Sequence, residues 1–558
     1  MAFMKITTSK RKNKTYYYAS IAESYRENGK VKHKTLKKIG GVSKEQAEAL
    51  KLAFSNKIKD MIDFEELIFE NSVDYGAHFV IDQIVKKIKL IPKLKNVLKS
   101  SDSHITTETA IKYILFMVYH QMTNPRSKLS MYENADNTAI AKFLEIDTDI
   151  DLQTMYRSLE VLEENFEQIE KVLLDIATED YDEDKQKLFY DITSSYFEGH
   201  KLTIAQYGYS RDKRRDKTQI VIGLVTTEKG FPIKCDVHRG NTVDKTTVAE
   251  VVKNLTNEYK IEKIIFVGDR GMLTASNVKE ITRLNQKYVM AIPRRWTKKY
   301  LKDIDINPEN MNKTNKKDLY SIEVNSDKLE GKDKLLLCLN TRKQKDDTDY
   351  RNAQIEKVFN DFQKLNKKLN NPRTRIKTKD DLIKKSAVIK KRRKEGKYFE
   401  FEIVKDTTNA LGFSVQYEIN EQKLKKDSRL DGTFVIQTNT TNLKSDEVLE
   451  VYKNLSQVEN EFKIIKNDLG LRPMHHYKEK RVKGHVYLTV LSSFILNAID
   501  FTLKENKVGL TAQKALTELD KIKLGSFKLP NGDKKTKLTE ISEKQNKILR
   551  ALKIKKIK

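Results

Sequence analysis

The sequence predicts a multidomain α/β protein in which a helical domain precedes a mixed sheet and an insertion interrupts that sheet. Three observations point there. At 558 residues the chain is several times longer than the ~150 residues of a usual domain. Its apolar residues recur at helical spacing up to about residue 180 and at strand spacing from Lys187 onward. The strand pattern stops at Arg294 and resumes at Gly432.

Each segment carries its own signal. Thr15-Tyr16-Tyr17-Tyr18-Ala19-Ser20-Ile21 and Val31-Lys32-His33-Lys34 flank a turn at Glu27-Asn28-Gly29-Lys30, which predicts a small basic hairpin over residues 1–42. From Ser43 the spacing becomes helical. Ile111, Ile114, Leu115, Val118 and Tyr119 fall on one face, as do Tyr156, Leu159, Leu162, Phe166, Ile169 and Leu173. Residues 43–185 are therefore expected to form a helical, DNA-binding domain. Leu188–Phe197, Gln219–Val225 and Phe231–Val237 read as three strands in a meander. A helix over Val243–Asn257, a strand over Lys263–Asp269, a helix over Ser276–Leu284 and a strand over Tyr288–Ile292 follow, giving a mixed sheet over 186–293. Residues 294–431 read as an insertion, with short strands such as Leu335–Leu339 around a polar, helix-forming stretch from Asp349 to Lys394. The sheet resumes at Gly432–Thr438, and one helix is expected from Ser445-Asp446, its N-cap, to about Lys466. The core's second part is expected over 432–500, and 501–558 is a basic C-terminal region.

Composition narrows the partners. Lys plus Arg number 107 against 79 Asp plus Glu, a net charge of +28, so the field favours a polyanion, and nucleic acid is the commonest one. Hydrophobic residues make up 38%, in blocks, which excludes a wholly disordered chain. The best candidate for a membrane span, Leu488–Leu503, is shorter than the ~20 apolar residues needed and is broken by Ser492, Ser493, Asn497 and Asp500, so no membrane helix is expected. The basic N-terminus has no apolar stretch behind it, and no secretory signal is expected. Cys235 and Cys338 fit neither a disulfide framework nor a metal site, and reduced thiols in a cytosol are expected.

Among the carboxylates, position selects the candidates. Asp191 sits inside an apolar strand, where an unpartnered carboxylate costs several kcal/mol, so a metal ion or a cation is expected beside it. Asp269 ends an equally apolar strand, at the carboxyl edge where open α/β sheets bind ligands. In a straight helix Leu455, Val458, Phe462 and Ile465 form an apolar stripe, with Tyr452, Glu459 and Lys466, seven apart, along its border. Three carboxylates from two strands and a helix make a site for hard divalent cations, and two such ions ~3.5–4 Å apart drive phosphodiester displacement.

Phe189-Tyr190-Asp191-Ile192-Thr193, Tyr207-Gly208-Tyr209-Ser210-Arg211-Asp212, Phe231-Pro232 with His238-Arg239-Gly240-Asn241-Thr242, and Val267-Gly268-Asp269-Arg270-Gly271-Met272 together resemble bacterial insertion-sequence transposases of the DDE class. The branch is the one with a Y-x2-R-x3-E-x6-K signature, read here as Tyr452, Leu455, Glu459 and Lys466. The resemblance covers about 186–290 and 432–490, together with the hairpin at Ser24–Lys30. It implies a ribonuclease-H-like core with Asp191, Asp269 and Glu459 as metal-binding catalytic triad, and a largely β insertion ahead of the glutamate helix. It also implies two Mg2+ ions per site, with Mn2+ able to substitute, and cut-and-paste chemistry in which a freed 3′-hydroxyl attacks target DNA. The implied partners are double-stranded terminal inverted repeats and target DNA, with a homodimer in the synaptic complex, in a bacterial cytoplasm near the nucleoid. By the same comparison Tyr452 and Lys466 contact DNA phosphates. Leu455 departs from the signature arginine, and Arg270, Lys453, Arg472 and Arg481 are the further cations expected to face DNA. His238 and Asn241 are expected in a turn near the sheet edge, supporting the site. The alternatives are a catalytically impaired protein that occupies element ends, and a cellular ribonuclease-H-like nuclease.

Overall fold

The computed structural model describes residues 2–558 other than 12–13, 28–29, 55–66, 147–148, 185, 199–201, 244–246, 260, 262–263, 302–303, 325–332, 372, 410, 530–531, 556 and 558. The chain divides into two compact units, residues 1–75 with 522–541, and residues 76–521 with 542–558.

In the first unit β1 (Ala2–Arg11), β2 (Lys14–Glu27) and β3 (Lys30–Val42) form one antiparallel sheet in that order. The expected hairpin is thus the second half of a three-stranded sheet; its turn residues Asn28 and Gly29 lie outside the described residues. β3 carries five lysines on exposed positions, a basic ribbon. Helix Lys44–Ala53 follows. Then β4 (Ile68–Asp74) departs from the expected helical run and pairs with strand Lys523–Lys528, which pairs with Lys534–Leu538. A strand that pairs with one some 450 residues away leaves no local signal of its partner.

The second unit holds the helices and the large sheet. Helix Thr107–Thr123 buries most of its residues and is capped by Thr106, whose side chain accepts from the Thr109 N–H. Asp151 caps helix Leu152–Glu164 in the same way. The 27-residue helix Glu479–Glu505 packs against both. Phe166 stacks on Tyr487 at 3.9 Å between ring centres. This helix is long and apolar enough to cross a membrane, but 83% of its most apolar stretch is buried within the protein.

The sheet is built from β5 (Lys187–Tyr196), β6 (Gln219–Thr226), β7 (Pro232–Arg239), β8 (Ile265–Gly268), β9 (Lys287–Ala291), β10 (Asn312–Lys313), β11 (Leu319–Val324), β12 (Lys334–Asn340) and β15 (Thr433–Thr438), a hairpin of β13 (Phe399–Lys405) and β14 (Phe413–Ile419) lying apart. The order is β10-β11-β12-β15-β9-β8-β5-β6-β7. β5, β6 and β7 form the expected antiparallel meander, and β8 and β9 run parallel to β5 on its other side. This is the mixed sheet of a ribonuclease-H-like core.

Two features differ from expectation. The segment 294–431 is not largely β: its first strands, β10 to β12, extend the large sheet through β15, and the excursion proper contains helices Thr341–Leu369 and Lys379–Arg392 around the β13–β14 hairpin. Val358, Phe362, Leu365 and Leu382 give that excursion its own apolar core with Phe399 and Val415. The expected helix from Ser445 to Lys466 is also discontinuous. It consists of helices Ser445–Lys453 and Ser456–Lys463 and a π-helical turn at Ile464–Asp468. Its N-cap position is Lys444, whose backbone N–H donates to Glu447 at 2.7 Å.

Candidate active site

Strand register brings the two aspartates together. Lys187 pairs with Ile265 and Phe189 with Val267 across the parallel β5–β8 ladder, and two residues further along stand Asp191, within β5, and Asp269, just past the end of β8. Neighbouring strands are ~4.8 Å apart, so the two carboxylates leave adjacent strands at one level. Helix Ser456–Lys463 packs on β5 and β6 through buried Val458 and Phe462, with Leu455 and Ile465 continuing the stripe, and leaves Glu459 exposed on its border.

Electrostatics link the three. Burial pushes the Asp191 carboxyl up to about 7, and the negative charges of Asp269 and Glu459 push the same way; the Ile192 N–H, which donates to Asp191 Oδ1 at 2.7 Å, and the Arg211 charge oppose them. Asp269 Oδ1 accepts from the Gly271 N–H at 2.8 Å, as the tight turn after β8 requires. Tyr452, stacked on Phe434, senses the same space: burial raises its phenol, Arg270 lowers it, and Asp269 and Glu459 raise it. Asp191 and Tyr452 therefore each lie within electrostatic range of Asp269 and Glu459, and Tyr452 also within range of Arg270. Among the described residues no three His, Cys, Asp or Glu side chains stand close enough to enclose a metal ion. The donors are nevertheless all carboxylate oxygens, which suits a hard divalent cation, and a cation would offset the burial, and with it the repulsion, that raise Asp191.

Lys466 faces inward. Its ammonium donates to Thr193 Oγ1 at 2.6 Å and to Asp212 Oδ1 at 2.9 Å, and it is only 10% exposed. Arg472 pairs with the same Asp212 oxygen at 3.0 Å and lies over the Tyr196 ring. Arg481 pairs with Glu160 at 2.6 Å over the Tyr156 ring. Three of the cations expected at DNA are thus held in internal pairs, while Arg270 is exposed and Lys453 is half-buried near Lys316. His238, on the edge strand opposite Val221, is separated from β5 by β6, and Asn241 is exposed beyond the end of β7.

Sequence reasoning gave Thr193, Arg211 and Asp212 no role of their own, although all three stand in the segments Phe189–Thr193 and Tyr207–Asp212 that carry the resemblance. The geometry supplies one. The Arg211 N–H donates to Ser194 Oγ at 2.9 Å, which ties the Tyr207–Asp212 segment to β5. Gly208 and Gly240 let this segment and the turn after β7 touch: a Cβ on Gly208 would lie 2.1 Å from the Gly240 oxygen.

Residues 182–495 match the family model described as transposase DDE domain, and residues 4–61 match that described as IS1634 family transposase, N-terminal domain. No curated protein matches the chain.

Proposed function

Because the chain belongs to the DDE transposases of insertion sequences, it binds DNA, cleaves it and transfers strands with divalent metal ions, and we propose that Asp191, Asp269 and Glu459 are its catalytic triad. The observation that carries this reading is the electrostatic coupling of Asp191 to both other carboxylates, one from the strand beside its own and one from a helix packed on its own strand.

The three carboxylates would hold two Mg2+ ions, with Mn2+ able to replace them. Such ions activate a water or a 3′-hydroxyl and stabilise the leaving oxygen. The protein's own residues do the positioning. Lys466, through Thr193 on β5 and Asp212, fixes the end of the glutamate helix against the strand that carries Asp191. Tyr452 and Arg270, beside the carboxylates, and Lys453 on the outer side meet the phosphates of the cleaved strand. Lys466, Arg472 and Arg481 act on DNA indirectly, by holding the elements around the site. The basic N-terminal sheet takes the terminal inverted repeats, and two copies of the chain join two ends in the synaptic complex before attack on target DNA. The setting is the bacterial cytoplasm, at the nucleoid.

The test is an element-end duplex offered to Asp191→Asn protein with Mg2+. Retained gel shift with strand cleavage reduced at least a thousandfold is expected. Cleavage at the wild-type rate would remove Asp191 from the triad.

A further inference from the structure

A cavity of about 440 Å3 lies between the Pro125–Leu129 connection of the helical domain and the Gly470–Lys478 loop that follows the glutamate helix. Its volume falls in the ~300–1,000 Å3 range of small-ligand pockets. Among the described residues the wall includes Arg126, Lys128, Arg472, Lys478, Arg481 and His485 and no acidic side chain. Arg472 and Arg481 are paired with Asp212 and Glu160. Lys128 is different.

Its side chain is 3% exposed and, among the described residues, no carboxylate lies within ion-pair distance; the ammonium donates instead to the neutral Gln121 Oε1 at 3.2 Å. Gln121 is held in that orientation because its amide nitrogen donates to the Leu469 carbonyl. A buried ammonium with only a neutral acceptor is costly, and desolvation pulls Lys128 down to about 7. His485, 7% exposed, lines the same cavity, and its Nδ1 is buried with no hydrogen-bond partner. A buried ammonium without a counter-charge, in a wall without acids, specifies an anionic ligand, and the open Nδ1 of His485, whose ring already bonds the Leu471 backbone, offers an acceptor for a hydroxyl on that ligand.

We propose that this cavity is a phosphate-binding site, with Lys128 and His485 as its inner contacts and Arg126 and Lys478 at its exposed rim. A phosphate dianion gives the Lys128 ammonium the counter-charge it lacks. His485, held neutral by burial and by the Lys128 charge, accepts at Nδ1 from a protonated phosphate oxygen. The phosphate comes either from a DNA strand or from free phosphate in solution. Only the first source rests on the DNA-processing reading. The cavity wall connects to the strand that carries Asp191 through Arg472, Asp212, Lys466 and Thr193.

The experiment is the melting temperature of the full-length protein titrated with inorganic phosphate, with chloride holding ionic strength constant. A saturable rise of a few degrees is expected for wild type. Lys128→Met, which replaces a buried charge by an apolar chain of similar length, is expected to melt no lower than wild type without phosphate and to show no rise. His485→Gln, as the second variant, is expected to need at least tenfold more phosphate. No saturable rise in wild type, or an equal rise in Lys128→Met, overturns the proposal. Adding a short DNA duplex then identifies the source. Displacement of inorganic phosphate assigns the site to the strand, and a phosphate response untouched by duplex supports a site for the free anion. Loss of catalysis in Asp191→Asn is scored separately, so failure of one reading is not read as failure of the other.

Discussion

Lys466 donates to Thr193 at 2.6 Å, two residues along β5 from Asp191, so the segment that carries Glu459 is fastened to the strand that carries the first aspartate. The contact uses a lysine from the π-helical turn Ile464–Asp468. Such turns re-aim side chains that a regular helix would send elsewhere. The fastening also passes through Asp212, which Arg472 shares.

Lys466→Met is therefore expected to lower both stability and cleavage. Removing one of two cations from a buried carboxylate costs about 1–3 kcal/mol. A double-mutant cycle with Asp212→Asn, measured by urea unfolding, should give a coupling of roughly 0.5–3 kcal/mol. Additive effects would show that the pair does no positioning. Gel shift should survive in Lys466→Met, because the ammonium faces the interior.

Asp191 gives the metal-free protein a signed pH dependence. Its folded-state carboxyl is raised to about 7 by burial, above an unfolded value of ~3.9, so it contributes most below pH 4 and that contribution is lost as pH rises toward 7. In chelator, Asp191→Asn should gain stability over wild type between about pH 4 and 7, with the gain flat above. Comparing the two proteins cancels buried Glu170 and Glu461, which burial also raises, to about 8 and about 7. A gain that shrinks with rising pH would contradict the assignment.

An arginine at position 455 should not create a DNA contact. Leu455 is 6% exposed in the apolar stripe with Val458 and Phe462, so Leu455→Arg buries an unpaired charge. A melting temperature several degrees lower and no increase in cleavage are expected. Faster cleavage with unchanged stability would mean that position 455 reaches the DNA.

Gly484 sets the approach of helix Glu479–Glu505 to helix Leu152–Glu164. A Cβ there would lie 2.2 Å from the Leu159 carbonyl oxygen, against backbone that has nowhere to go. Gly484→Ala should cost about 1–3 kcal/mol in urea unfolding, although alanine favours helices. A stabilised variant would show that the two helices separate freely.

What the sequence made legible follows from the range of each signal. The pattern predicts β5 over Leu188–Phe197 and the strand runs Lys187–Tyr196; the strands at Gln219 and Tyr288 and the helix at Ser276 agree within a residue or two, because apolar period is local. Asp191 and Asp269 stood out for the same reason, as charges set in or at the end of apolar strands. Pairings across hundreds of residues carry no such mark, so β4 with Lys523–Lys528, and β12 with β15, became visible only in the fold. The seven-residue spacing of Tyr452, Glu459 and Lys466 assumed one straight helix. The break at Asn454-Leu455 and the π-helical turn redirect both ends, which is why Lys466 faces Thr193 and Asp212.

The central claim is that three distant carboxylates share one cation site. Titration of full-length protein with Mn2+, read by electron paramagnetic resonance of the free ion, tests it without any DNA. Wild type should bind Mn2+, and Asp191→Asn, Asp269→Asn and Glu459→Gln should each weaken binding at least tenfold. Wild-type binding by Glu459→Gln would contradict the account, because the glutamate helix would then take no part in the site formed by the two strands.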